Sequence, residues 1–245
     1  MINPIMDRKQ VFEKIYEKKK WGSNGTLSGE GTRPEAAAEY VLYLSNFLLA
    51  HPEVNSILDI GHGDWKMWPD RYFSKFDYTG IDITSSVVDN CIRQFGNDHQ
   101  RFIEADFLEI ELPQADLLLI KDVLIHLSND DIKKTLGRLS EFKYSIVVTD
   151  NESKGWRVIA GNLKREFDKS QSIRNLISSP FRVFNKNYLR NDIQTGSYHW
   201  VDLLDPKWCF DSFGLTILDT FEFSNRGMTP GRRTSKRIYK IASTE

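Results

Sequence analysis

Ile57-Leu58-Asp59-Ile60-Gly61-His62-Gly63-Asp64-Trp65 is the stretch that decides the fold. An apolar, β-prone run ends in two glycines one residue apart. That pattern predicts a strand, then a tight turn that opens a helix, with residues 64–75 read as a short helix or turn. Glycine lets the backbone turn sharply and lets a ligand approach it closely. A dinucleotide site would rest a pyrophosphate on the N-terminus of the following helix. That reading wants Gly or Ala where Lys66 stands, and an apolar or small residue where Asp59 stands. The turn is therefore a cofactor loop whose ligand the glycines alone do not name.

Working outward, short apolar runs alternate with helical patterns. Upstream, residues 7–20 carry Val11, Phe12, Ile15 and Tyr16 at helical spacing, and residues 35–50 form a second helix closed by His51-Pro52. Between them, residues 22–34 are glycine-rich and must be a loop. Downstream come strands at Tyr78–Ile83, Arg101–Glu104, Asp116–Lys121 and Tyr144–Thr149, with helices over 85–95 and 129–140. Continuous apolar strands separated by helices predict a parallel sheet covered on both faces. Leu215–Phe223 and Arg237–Ala242 flank a turn-rich stretch and read as an antiparallel hairpin at the sheet edge. About sixty residues, 152–212, intervene. They hold helical patches and the aromatics Phe181, Phe184, Tyr188, Tyr198 and Trp200, and an insertion of that length is commonly functional.

Bulk properties narrow the class. The 245 residues carry 33 Lys+Arg and 34 Asp+Glu, a net charge of −1, which argues against a general nucleic-acid binder. No run approaches the ~18 apolar residues of a membrane span, and Met1–Lys20 lacks the apolar core of a secretory signal. A cytoplasmic protein is expected. Cys91 and Cys209 are too few for a disulfide framework and read as buried reduced thiols.

Acidic residues follow the strands. Asp82 ends the second strand about twenty residues after the turn, where a carboxylate can take both ribose hydroxyls; the alternative is a helix cap near Ser85. Asp106 follows the third strand beside Phe107, a pair able to bind an adenine amino group and cover its ring. These pieces, with Leu119-Ile120-Lys121-Asp122-Val123-Leu124 at the fourth strand, occur in an order and spacing that resembles the class I S-adenosylmethionine-dependent methyltransferases. The resemblance spans residues 54–150 firmly and 213–242 loosely. It implies a Rossmann-like fold with a seven-stranded mixed sheet and an insertion between strands five and six. It implies one domain built as 1–50, a core of 54–150, an acceptor-binding 152–212 and a closing 213–245. It also implies S-adenosylmethionine as cofactor, S-adenosylhomocysteine as product, and a cofactor site comprising Trp21, Asp59, Gly61, His62, Gly63, Asp82, Ile83, Asp106, Phe107 and Lys121. Trp65 stands where many members have a third glycine, and is expected to narrow the approach to the methionine end.

Trp21-Gly22-Ser23, Ser28-Gly29-Glu30-Gly31, the stretch Lys121–Leu127 and, loosely, Asp192-Ile193…Gly196-Ser197-Tyr198…Asp202-Leu203 resemble a bacterial subgroup associated with surface-polysaccharide genes. The implied reaction is O-methylation of a small carbohydrate-type or phosphorylated acceptor, a nucleotide-linked one included, in surface-polysaccharide biosynthesis. Alternatives are an RNA or protein methyltransferase, or a non-catalytic cofactor-binding protein. The absence of an Asn/Asp-Pro-Pro-aromatic motif after strand four weighs against amino-nitrogen acceptors in the RNA or protein case.

Methyl transfer needs alignment and, for a hydroxyl acceptor, a base. In such folds the acceptor lies beyond the strand ends, where Asp122 and His126 stand. If residues 122–126 form a helical turn, the two share a face, with His126 as base and Asp122 orienting it or binding the acceptor. The alternative is that His126 packs under the adenosine. Asp122, Asp150 and Asn151 also resemble the oxygen ligands of a divalent cation in catechol-type O-methyltransferases; ordinary capping is the alternative. Tyr188, Tyr198, His199 and Arg190 are the candidate acceptor contacts, with Arg182 and Trp200 beside them. Arg226, Arg232, Arg233, Lys236 and Arg237 read as a solvated basic face, or as a surface for phosphate or RNA.

Overall fold

The computed structural model describes residues 7–22, 25–151, 193–224 and 235–243. Seven strands form one mixed sheet in the order β3-β2-β1-β4-β5-β7-β6. They are β1 (Ser56–Ile60), β2 (Asp77–Asp82), β3 (Gln100–Glu104), β4 (Leu117–Lys121), β5 (Tyr144–Asn151), β6 (Leu215–Ser224) and β7 (Ser235–Ser243). The first five are parallel; β7 runs antiparallel to both β5 and β6. The Rossmann-like mixed sheet expected from the sequence is therefore present.

The helices labelled here are α1 (Arg8–Glu17), α2 (Pro34–Ala50), α3 (Ser85–Phe95) and α4 (Asn129–Leu139). Asp7 caps α1 and Ser128 caps α4, each accepting a backbone N–H three residues on. α3 is strongly amphipathic, burying Val87, Val88 and Cys91. The central strand β4 is buried throughout, which explains its unbroken apolar run. Two apolar clusters cover the sheet. One is aromatic, around Trp65, Trp68, Phe73, Tyr78 and Phe102; the other is aliphatic, around Leu118, Ile120, Leu136, Val147 and Tyr239.

The structure corrects four expectations. Residues 64–75 are the turn of the two readings, helix or turn, so the glycine loop does not open a helix N-terminus as the strand–turn–helix pattern predicted. Trp65, at φ 61°, turns into the aromatic core and donates to the Tyr78 hydroxyl at 2.9 Å. It does not narrow the methionine end. Cys209 is exposed, whereas Cys91 is buried and its thiol is pushed up to about 12 by burial. Lys236 and Arg237 are buried and ion-paired, not part of a solvated basic face. Arg226, Arg232 and Arg233 lie outside the described residues, as do Phe181, Arg182, Phe184, Tyr188 and Arg190. No helix among the described residues is long and apolar enough to cross a membrane.

Candidate active site

The sheet reverses winding between β1 and β4, and an α/β sheet opens a crevice at that point, beyond its strand ends. A cleft of about 920 Å³, including its mouth, lies there. Trp21, Asp59, Gly61, His62, Gly63, Asp82, Ile83, Asp106, Phe107 and Lys121 all border it, together with Asp122 and His126. The structure thus gathers residues from the N-terminal segment, β1, β2, β4 and the loop after β3.

Local geometry explains the loop's composition. Gly61 and Gly63 have φ of 69° and 59°. A Cβ on Gly61 would sit 2.4 Å from Val123 Cγ2, and one on Gly63 would sit 2.5 Å from Ser28 Oγ. Both positions therefore require glycine for backbone and for space. The N-terminal glycine-rich segment is seated on this turn. Asp64 Oδ2 accepts from Thr26 Oγ1 (2.8 Å) and the Leu27 amide (2.7 Å), while its own amide donates to Ser28 Oγ (2.7 Å). Tyr16 shares a 3.0 Å hydrogen bond with Ser28, joining α1 to the same contact.

Asp82 Oδ2 accepts from the Gly63 amide at 3.2 Å, and Oδ1 from the Thr84 amide at 2.9 Å. Those bonds fix the carboxylate at the cleft while leaving lone pairs on both oxygens. The cap of α3 is Thr84, not Asp82. His62 Nδ1 lies 2.7 Å from the Gly63 carbonyl, so that nitrogen carries the proton, and the buried Nε2 has no partner among the described residues. Asp106 is engaged by Arg8, whose Nε donates at 2.6 Å; the same guanidinium reaches Asp131 at 3.1 Å and Glu109. Arg8, Tyr16 and Ser28 border the cleft, and the sequence reading missed all three. Their partners lie 98, 12 and 36 residues away, beyond any local pattern.

Asp59 is only 2% exposed. Burial pushes its carboxyl up to about 7, against the pull of the Tyr78 hydroxyl at 2.7 Å and of Lys121. A folded value above the unfolded one means that folding favours the protonated form. The contribution to stability is full below the ordinary carboxyl range and is lost as pH rises through about 7. Asp59→Asn should erase that dependence. Its melting temperature, relative to the native chain, should rise between pH 5 and pH 8 by about 2–4 °C per kcal/mol recovered. A difference that stays constant with pH would refute the assignment.

The acceptor end departs most from expectation. A 3₁₀ turn spans Leu124–His126, but Asp122 sits at φ 60° and does not share a face with His126. His126 Nδ1 instead faces the Ser197 carbonyl at 2.8 Å, and its ring stacks on Trp21 with centroids 4.4 Å apart. Burial holds the imidazole below its usual range, outweighing the Ser197 carbonyl, Asp122 and Asp150. Both oxygens of Asp122 are taken, Oδ2 by Lys121 Nζ (2.5 Å) and Oδ1 by Lys236 Nζ (2.6 Å). Lys236 Nζ also meets Asp150 Oδ1 at 2.6 Å. The Lys236 ammonium thus lies between Asp122 and Asp150, where a divalent cation shared by these two carboxylates would sit; the side chain of Asn151, the third expected ligand, lies outside the described residues. No group of three or more metal-ligating side chains occurs among the described residues.

Tyr198 stands beside His126, 6.1 Å between ring centroids, and donates to Asp150 Oδ2 at 3.0 Å. It is 53% exposed and lies outside the cleft lining. His199 turns away, Nδ1 facing the Trp200 carbonyl. The backbone of this segment is zipped to the site: Gly196 and His199 amides donate to His126 and Ile125 carbonyls, and the Val201 amide donates to Asp150.

No family model matches the sequence, and no curated protein matches it either. The fold is nevertheless shared with solved methyltransferases. A S-adenosylmethionine-dependent methyltransferase of Leishmania major superposes with a TM-score of 0.62 at 14% identity, covering 97% of this chain and 87% of that one. Magnesium protoporphyrin IX methyltransferase of Synechocystis, solved with bound S-adenosylhomocysteine, gives 0.60 at 14% identity, covering 97% and 100%. The N-methyltransferase NodS of Bradyrhizobium japonicum, also with S-adenosylhomocysteine, gives 0.58 at 12% identity, covering 98% and 100%. At these identities the likeness establishes the fold, that of the Rossmann-like methyltransferases.

Proposed function

We propose that the chain is an S-adenosylmethionine-dependent methyltransferase acting on a small acceptor. The observation that carries this reading is the charge of the cleft. Asp82, Asp106 and Asp122 border it as carboxylates, and Asp59 as a carboxyl held protonated up to about 7, against two cations, Arg8 and Lys121, each already paired; among the described residues Asp82 has no cationic partner. A pyrophosphate needs the opposite field, and the glycine turn offers it no helix N-terminus. S-adenosylmethionine carries a sulfonium and an ammonium against one carboxylate, so it is a net cation suited to such a site.

In this reading Asp82 holds the ribose hydroxyls, and Asp106 with Phe107 holds the adenine. The Asp106 carboxylate is shared with Arg8, whose bond leaves acceptor capacity. His62 Nε2, buried without a partner among the described residues, fits a bound hydroxyl or amine. Trp21, Ile83, Lys121 and the Gly61–Gly63 backbone complete the walls. The cofactor supplies an activated methyl group; the chain supplies alignment and a proton acceptor. His126 is that acceptor, because giving the Nδ1 proton to Ser197 leaves Nε2 with its lone pair. Ser197, not Asp122, orients it.

The acceptor class follows from the same logic. Tyr198 spends its proton on Asp150, so its oxygen presents lone pairs, as does His126 Nε2. Two hydrogen-bond acceptors suit a substrate that donates, a neutral hydroxyl-bearing molecule of carbohydrate type above all. A role in surface-polysaccharide synthesis rests on the sequence resemblance alone. A phosphorylated acceptor gains no support among the described residues, where no unpaired cation borders the cleft. The RNA or protein reading loses Lys236 and Arg237 from its basic run, since both are buried in ion pairs. The porphyrin and N-acceptors of the neighbours mean that the fold does not choose the acceptor.

Calorimetry with S-adenosylhomocysteine and, separately, NAD tests the cofactor assignment. Micromolar binding of the first and none of the second is expected. Binding of NAD, or of neither, would overturn it.

A further inference from the structure

Five separate parts of the chain meet in one line of polar contacts at the acceptor end. Tyr198 Oη donates to Asp150 on β5; Asp150 and Asp122 both hold Lys236 Nζ from β7; Asp122 holds Lys121 Nζ from β4; and Lys121 donates to the Gly31 carbonyl at 3.2 Å. Two lysines balance two carboxylates, so the line is neutral. Lys236 is its centre. It is 2% exposed, and the antiparallel register pairs it directly with Asp150. Its ammonium touches one oxygen of each carboxylate, the arrangement that a bridging cation would take.

We propose that Lys236 is a resident cation: a positioning residue that occupies a seat fit for a divalent ion and, through Asp150, fixes the Tyr198 hydroxyl as a hydrogen-bond acceptor for the substrate. The effect on substrate rests on the methyltransferase reading; the cation seat does not. Two anionic oxygens held this close require a positive charge between them. Shortening Lys236 removes the charge and leaves a gap between Asp122 Oδ1 and Asp150 Oδ1. Oxygen ligands of this kind bind hard cations.

Lys236→Ala titrated with Mn²⁺, read by electron paramagnetic resonance and calorimetry, tests this. One ion should bind per chain, and the melting temperature lost on substitution should recover with Mn²⁺. The native chain should bind none there and should be indifferent to EDTA. Lys236→Ala/Asp150→Asn should lose the ion. Lys236→Arg, which keeps the charge, should bind none. Folded Lys236→Ala that binds no Mn²⁺, or native chain that binds it equally, would sink the proposal. If Lys236→Ala fails to fold alone, it should fold when expressed and refolded in Mn²⁺; failure in both conditions counts against the proposal. For positioning, Lys236→Ala should raise the acceptor KM at least tenfold while S-adenosylhomocysteine affinity changes less than threefold, and Mg²⁺ should restore part of the KM. A KM that does not move would confine Lys236 to holding the strands together. S-adenosylhomocysteine binding in the native chain, measured in parallel, separates failure of the cofactor reading from failure of this one.

Discussion

Asp82→Ala should reduce S-adenosylhomocysteine affinity by roughly a hundredfold to ten-thousandfold, measured by calorimetry. A hydrogen bond to a charged group contributes about 1.5–3 kcal/mol, and two ribose hydroxyls give about 3–6 kcal/mol, or two to four decades. The carboxylate is in place before the ligand arrives, held by the Gly63 and Thr84 amides. Little ordering is therefore left to oppose binding. The same two bonds mean that the variant also loosens the glycine turn, so a melting curve must accompany the titration. Asp82→Asn, which keeps one acceptor oxygen, should fall between the two. An Asp82→Ala chain that stays folded and binds within threefold of native would remove Asp82 from the ribose site.

His126→Ala should slow methyl transfer by at least ~100-fold, the usual scale for a lost general base, with cofactor affinity changed only a few-fold. Trp21 complicates the reading because it stacks on the imidazole. His126→Phe keeps a ring for that stack and loses the nitrogen, so it separates base from packing. If His126→Phe retains native turnover, His126 is a wall of the site and another group takes the proton. The pH profile carries the sign. Transfer needs neutral His126, and burial holds its proton affinity below the ordinary imidazole range. Turnover should therefore be flat from pH 7 upward and should fall only below about pH 6.5, the unperturbed histidine value.

Much of this architecture is legible in the sequence because it is local. Ile57–Ile60, Leu117–Lys121 and the hairpin strands have apolar runs that burial on a sheet explains directly. The residues bordering the cleft were legible because strand ends carry them to one place. The turn after β1 was not. The sequence left helix and turn open there; Trp65 takes a left-handed conformation and its indole donates to Tyr78, a tertiary contact that no local preference announces. Asp122 and His126 misled for the same reason: their four-residue spacing suggests one helical face, but Lys121 and Lys236 claim Asp122. Lys236 looked solvated because its neighbours in sequence are polar. Only the register of β7 against β5 puts it opposite Asp150.

The strand order sets a problem of timing. β7 follows β6 in the chain but lies between β5 and β6 in the sheet, so β6 has nothing to pair with until β7 emerges from the ribosome. Until then the open edge of β5 is a template for other nascent strands. Asp122 and Asp150 meanwhile repel each other without the ammonium that will lie between them. Placing β7 both completes the pairing of β5 and brings Lys236 between the two carboxylates, so one strand finishes the sheet and the site together.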